Sequence, residues 1–229
     1  MDGGGVSKRT YLPAAGTDWL LPIYDPITKL LGVRTVHRRL IEQAALLPGD
    51  RVLEIGSGTG NLSIQAKRLQ PEAEIIGMDP DPKALTRARR KAERAGAAVR
   101  FDQGFSEELP YPDGSFDKVL SALMFHHLQP DAKKLSLVET RRVLRPGGSF
   151  HIVDFSDGTD RLGGFLARSH GFLARLLHQS HGYQPDDTVI ALMREAGLRE
   201  PRELDRQTHI LGQITYFEAS AASPSAVPG

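Results

Sequence analysis

The sequence predicts an α/β fold: a mostly parallel sheet of seven strands, helices on both faces, and an antiparallel hairpin at its end. Three observations predict it. Short apolar runs at 52–55 and 74–78 end at a carboxylate or at glycines, and similar runs recur at 98–102, 118–121 and 149–155. Stretches with apolar residues at helical spacing lie between most of them. Strands alternating with helices in short units favour parallel pairing.

Taken in order, residues 1–12 read as a flexible tail. A single domain is expected over 13–219, with residues 13–47 as an N-terminal helical flap. That flap opens on a dense apolar stretch containing Trp19 and Tyr24. It continues with Val36, Leu40, Ala44 and Leu47 at helical spacing, up to Pro48-Gly49-Asp50. A helix pair covering a sheet edge is the plainer reading. A flap over a ligand is favoured because two large aromatics with polar handles are costly to bury unpaired.

The chain is organised around residues 52–61, where an apolar strand carrying Glu54 breaks into Gly56-Ser57-Gly58-Thr59-Gly60. Asn61 is expected to cap the helix that follows, with Leu62, Ala66 and Leu69 on its inner face. Glycines here let the backbone pass close to a ligand, because no Cβ intervenes. The spacing is not the dinucleotide fingerprint: the third glycine comes one residue early.

The second strand ends on Asp79, about where a ribose-binding acid follows the glycines in a mononucleotide-binding βαβ unit. Asp81-Pro82 starts the next helix as cap and first-turn proline. Leu85, Ala88, Ala92 and Ala95 form its inner face, and six basic residues from Lys83 to Arg94 read as its solvated face. A turn-rich bridge over 109–117 leads into the strand at 118–121. Pro130-Asp131 begins a helix ending near Leu144, and Arg145-Pro146-Gly147-Gly148 reads as a sharp turn.

Residues 160–182 read as a helical lid insertion, in which Phe165-Leu166-Ala167-Arg168 recurs as Phe172-Leu173-Ala174-Arg175. A spacing of seven is two helical turns, so Phe165 and Phe172 share a face. Val189, Leu192, Met193 and Ala196 form a closing helix ended by Gly197. Strands at 204–210 and 213–219 form the terminal hairpin, and 220–229 a disordered tail.

Composition narrows the function. The 229 residues carry a net charge of +1, so no overall field draws the chain to nucleic acid or anionic lipid. The absence of cysteine excludes disulfides, thiolate metal sites and cysteine nucleophiles, and no metal site is assigned. No stretch is long and apolar enough to span a bilayer. The first ten residues lack the apolar core of a signal peptide. A cytoplasmic protein is expected, a monomer or homodimer, with at most peripheral membrane contact.

Residues 52–60, 77–79, 107–117 and 144–148 together carry a family resemblance. In order and spacing the chain resembles the class I S-adenosylmethionine-dependent methyltransferases, and most closely the branch that includes the ubiquinone/menaquinone C-methyltransferases. The resemblance covers about residues 35–155. It implies a Rossmann-like sandwich and S-adenosyl-L-methionine as cofactor. Gly56, Gly58, Thr59 and Gly60 would pass under its methionine and ribose, Asp79 would accept both ribose hydroxyls, and Pro80 would lie by the adenine. Family members often have an acid after the position of Gly104; this chain has Phe105, so adenine would be held by stacking and by the Ser106 backbone. Glu54 suits the cationic end of the cofactor, or it ties up loop amides.

On the acceptor side, Ser121 and the residues to His127 leave the fourth strand at its C-terminal end, where open α/β sheets bind ligands. His126 and His127 are candidate bases, since an imidazole titrates near pH ~6.5; capping or packing is the plainer reading. Met124 and Phe125 would line the mouth of a pocket for a small apolar or aromatic acceptor, with Trp19, Tyr24, Phe165 and Phe172 closing over it. The competing classes are a cofactor-binding protein without turnover, a nicotinamide oxidoreductase and a nucleic-acid methyltransferase. The glycine spacing and the lack of a Tyr-x-x-x-Lys pair disfavour the oxidoreductase. The lack of an Asn/Asp-Pro-Pro-Tyr/Phe motif and of a basic balance disfavours nucleic acid.

Overall fold

A computed structural model describes residues 32–155, 186–209 and 212–221. Its elements run α1 (Val33–Ala44), β1 (Arg51–Ile55), α2 (Asn61–Leu69), β2 (Glu74–Asp79), α3 (Pro82–Arg94), β3 (Val99–Gln103) and β4 (Phe116–Ala122). A 3-10 turn (Phe125–His127), α4 (Pro130–Val143), β5 (Leu144–Phe155), α5 (Asp186–Glu195), β6 (Arg199–His209) and β7 (Gly212–Ser220) follow. The seven strands form one sheet in the order β3-β2-β1-β4-β5-β7-β6. The first five are parallel, and β7 runs antiparallel between β5 and β6. The strand order reverses between β1 and β4, and the crevice outside the C-terminal strand ends at such a reversal is where these sheets bind ligands.

The strand period of two sorts the core into two faces. Val52, Ile75, Leu120, Val153 and Tyr216 pack against α1 and α2. Leu53, Ile55, Ile76, Met78, Val119 and Phe150 pack against residues of α4 and α5. Helix α3 closes the first face through Leu85, Ala88 and Ala92, with Ile64 and Phe101. It starts as expected, the Asp81 side chain accepting from the Lys83 amide at 2.8 Å with Pro82 in the first turn.

Three local expectations change. Asn61 is not a cap: it is the first helical residue, and Gly60 occupies the cap position in a left-handed conformation. Leu69 is exposed, because the chain leaves the helix there and the inner face ends at Ala66. Residues 145–148 do not break the strand. They bulge out of β5 between the Phe116–Leu144 and Lys118–Ser149 pairs, pinned by an ion pair between Arg145 and Asp117. The part of the expected flap that is described, α1, packs onto the sheet with Val36, Leu40 and Ala44 buried. Among the described residues, no helix is long and apolar enough to cross a membrane.

Candidate active site

At the end of β1 the chain turns through three left-handed glycines, with φ of 76° at Gly56, 50° at Gly58 and 77° at Gly60. Side chains rarely adopt this region, so the alternation of glycines is what allows the turn. The amides of Gly56 and Ser57 both donate to the Met78 carbonyl at 2.9 Å, which holds the turn against the end of β2. The glycines differ in what excludes a side chain. A Cβ at Gly56 would run into Met124, which lies across the first glycine. A Cβ at Gly60 would sit 2.7 Å from Phe101 Cζ and 2.9 Å from Ala88 Cβ, so packing against α3 and β3 requires Gly60.

Two carboxylates flank the turn, and the strand period puts both on the α2 side of the sheet. Asp79 binds one amide with each oxygen: Gly58 N–H donates to Oδ2 at 2.8 Å and Asp81 N–H to Oδ1 at 2.9 Å. Burial raises its pKa, and the two amides pull against that. Glu54 accepts from the hydroxyl and the backbone amide of Ser63. Ser63 is in the first turn of α2, so the carboxyl ties down a helix N-terminus. Burial pushes Glu54 up to about 8. Neither Glu54 nor Asp79 forms an ion pair with lysine or arginine among the described residues. Below the turn, Lys91 of α3 donates to Asn61 Oδ1 at 2.6 Å and to Thr59 Oγ1 at 3.2 Å. One member of the expected solvated face is therefore part of the site's foundation, and the Thr59 side chain is buried beneath the turn.

Beyond β2, Gln103 Nε2 donates to the Pro80 carbonyl at 3.1 Å, and the Gly104 amide donates to the Asp79 carbonyl at 3.2 Å. A Cβ at Gly104 would lie 2.8 Å from Met78 Sδ. Phe105 follows, half-buried, and the Ser106 hydroxyl donates to Glu107. Gly56, Gly58, Asp79, Pro80 and Gly104–Ser106 thus gather at the C-terminal ends of β1, β2 and β3. Three buried polar atoms near these strand ends, Ser57 Oγ, Asp81 Oδ2 and Ser121 Oγ of β4, make no hydrogen bond among the described residues. A ligand rich in hydroxyls and N–H groups fits such a rim. The chemistry of S-adenosylmethionine, a diol with amino and sulfonium groups, matches it.

The acceptor side hangs on a strained corner. Leu123, directly after β4, adopts a left-handed φ of 52°, which costs a non-glycine residue roughly 1–2 kcal/mol. That corner lays Met124 over Gly56 and throws the chain into the 3-10 turn. His126 then meets Asp154 at the end of β5. Its backbone N–H donates to Asp154 Oδ2 at 2.9 Å, and its Nδ1 lies 2.5 Å from Oδ1. Burial alone would raise the Asp154 carboxyl, but the charge and hydrogen bonds of His126, with the Phe155 amide, hold it below the ordinary carboxylate range. His127 is exposed, its ring centroid 3.9 Å from that of His126. Phe125 does not line a mouth: it is 3% exposed and belongs to the core on the α4 side. Met124 is half-buried at the edge of that core. Sequence reasoning missed Asp154, although the signal it used for Glu54 and Asp79, an acid near a strand's C-terminal end, is present there too. Trp19, Tyr24, Phe165 and Phe172 lie outside the described residues.

Comparison with known proteins adds an independent line. A family model described as "Methyltransferase domain" matches residues 52–148. The demethylmenaquinone methyltransferase of Thermus thermophilus is 31% identical over 204 residues, 81% of this chain and 92% of the relative. A ubiquinone/menaquinone biosynthesis C-methyltransferase of Xanthomonas campestris is 29% identical over 196 residues, 76% of this chain and 77% of the relative. In structure, a phosphoethanolamine N-methyltransferase of Haemonchus contortus in complex with S-adenosyl-L-methionine superposes with a TM-score of 0.74 at 16% identity, covering 92% of this chain and 58% of that one. That last likeness speaks to the fold.

Proposed function

The chain belongs to the class I S-adenosylmethionine-dependent methyltransferases, and from that premise we propose that it methylates a small, apolar aromatic acceptor, quinols foremost. The observation that carries this reading is the turn of three left-handed glycines at the end of β1, held by Asp79 and ringed by buried polar atoms with bonds to offer. When bound, S-adenosyl-L-methionine supplies a methyl group already activated by a sulfonium. The chain's contribution is to hold donor and acceptor in line, worth roughly 7–11 kcal/mol of barrier in well-oriented reactions. In this reading Gly56, Gly58, Thr59 and Gly60 run beneath the methionine and ribose. Asp79 takes the ribose hydroxyls on its remaining lone pairs, and Pro80, Gly104, Phe105 and Ser106 hold the adenine, with Ser121 at the methionine end.

The names of the two relatives and the apolar side chains of the lid sequence support a quinol. An electrophilic methyl group needs an electron-rich partner. A quinone ring is electron-poor and its reduced diol is not, so the diol is the reactive form. Met124, with Trp19, Tyr24, Phe165 and Phe172, would enclose it and exclude water from the sulfonium. The test is a screen for S-adenosylhomocysteine formation across quinols, phenols, amines and thiols. Quinols should give turnover. Cofactor binding by calorimetry with no turnover on any acceptor would instead mark a binding protein. Within an active enzyme, Phe165→Ala with Phe172→Ala should raise the acceptor KM or lower kcat while S-adenosylmethionine affinity holds. A double variant that only melts earlier would make the segment structural.

A further inference from the structure

We propose that His126 is the base that takes the acceptor's proton, and that Asp154 is the positioning residue that fixes its ring. The inference rests on the methyltransferase reading above and narrows it to acceptors with an ionisable hydroxyl conjugated to the methylated carbon. Asp154 grips His126 twice, at the backbone N–H (2.9 Å) and at ring Nδ1 (2.5 Å), and its Oδ1 also accepts from the Phe155 amide at 2.8 Å. It is 4% exposed, so the grip is shielded from water. A carboxylate accepts only, so Nδ1 carries the proton and Nε2 is left with a free lone pair. His126 Nε2 makes no hydrogen bond among the described residues, and the ring keeps partial access to solvent. The ring stands two residues past Met124, whose side chain lies across Gly56 of the turn assigned to the cofactor. Among the described residues the other groups near it are the His127 ring on the same turn, the edge of Phe155 on β5 at 5.0 Å, and Lys133 of α4, on whose ammonium the Asp154 charge acts.

The acceptor hydroxyl gives its proton to Nε2, and the O–H electron pair moves into the ring. The activated carbon bonds to the methyl carbon as the methyl–sulfur bond breaks, that pair staying on sulfur. The carbon's own proton then leaves to solvent, and the imidazolium returns its proton to the oxygen, which restores the hydroxyl and the neutral base. One methyl is transferred and one proton released. Asp154 stabilises the transient imidazolium without itself being protonated.

The test combines kinetics and spectroscopy on the full chain. Long-range 1H–15N NMR should find His126 as the Nδ1–H tautomer in the wild type, with Asp154→Asn losing that preference. With 1,4-naphthalenediol kept reduced as probe, His126→Gln should lower kcat about a hundredfold or more at neutral pH. It should also remove the wild-type fall in kcat toward acid, with S-adenosylmethionine affinity within twofold by calorimetry. Added imidazole should partly restore His126→Gly. If Asp154→Asn does not fold, His126→Gln decides alone. A His126 proton on Nε2, or a folded His126→Gln with kcat and pH profile near wild type, overturns the proposal. A wild type that binds the cofactor but turns over no acceptor overturns the proposed function and the base with it. A wild type that is active while the variants are unaffected overturns the base alone.

Discussion

Asp79 is the residue on which the cofactor site can be tested most cleanly, and the structure dictates the substitution. Alanine would remove two buried acceptors at once and free both Gly58 N–H and Asp81 N–H, so lost affinity could not be told from a lost turn. Asp79→Asn keeps one oxygen and turns an N–H2 toward the other amide. One charge-assisted bond disappears, worth about 1.5–3 kcal/mol. Part returns, because burial had raised the carboxyl and a neutral amide no longer carries that penalty. A net loss of about 1–2 kcal/mol lowers the melting temperature of a chain this size by about 2–8 °C. If the carboxylate also holds the ribose diol, S-adenosylmethionine affinity falls about tenfold to a hundredfold. Calorimetry with S-adenosylhomocysteine and its 2′-deoxy analogue separates the two roles as a cycle does. Direct contact makes the penalty of Asp79→Asn shrink against the deoxy ligand, whereas a role confined to pinning Gly58 leaves it equal for both. A folded Asp79→Asn with unchanged affinity for either ligand refutes the assignment.

Two further substitutions test the frame of the site. Gly60→Ala should cost about 1–3 kcal/mol in a denaturant melt, since its Cβ would meet Phe101 and Ala88; a variant that melts with the wild type would mean that this packing does not require the glycine. Glu54 keeps its proton in the folded chain up to about 8, while the unfolded chain releases it near 4.5. The unfolded state then binds fewer protons between those values, so this group's contribution to stability declines as pH rises through the window, by at most about 1.4 kcal/mol per pH unit. Glu54→Gln should flatten that decline in urea melts at pH 6 and 8, and an unchanged slope would mean the carboxyl is ionised in the fold.

What could be read from the sequence was local. The glycine turn, the acid ending β2, the Asp81-Pro82 helix start and the alternation of strands and helices are each written in a few neighbouring residues, and each is in the structure. The misreadings depend on partners far along the chain. Asn61 is a sound cap by type, but Lys91 claims its side chain from α3 and Gly60 takes the cap position. Phe125 reads as a pocket residue until the core on the α4 side encloses it. The pairing of His126 with Asp154 requires the parallel register that sets Ala122 beside Val153, together with the left-handed corner at Leu123 that turns the chain back toward β5. No local propensity favours leucine there; the surrounding packing imposes it.

The two edges of the sheet use carboxylates differently, and the contrast locates the chemistry. At the N-terminal edge, Asp117 accepts the Arg51 amide and pairs with Arg145, while Asp50 accepts the Leu47 amide. These are loop ties, with a guanidinium at hand to neutralise Asp117. At the C-terminal edge, Glu54 and Asp79 are buried beside the glycine turn with no lysine or arginine paired to either among the described residues, and burial raises the pKa of both, against a smaller pull on Glu54 from the charge of Lys91. A carboxyl in that condition gains most from a ligand that brings positive charge, because the cation replaces the solvation that burial removed. The sulfonium and ammonium of the expected cofactor supply it, and the uncharged sulfur of its product does not. If the cofactor's cation lies against this edge, the same imbalance favours the methylated donor over the spent one. It also couples donor binding to proton release from the edge that Glu54 and Asp79 share, so affinity for S-adenosylmethionine should rise with pH across the Glu54 window more steeply than affinity for S-adenosylhomocysteine.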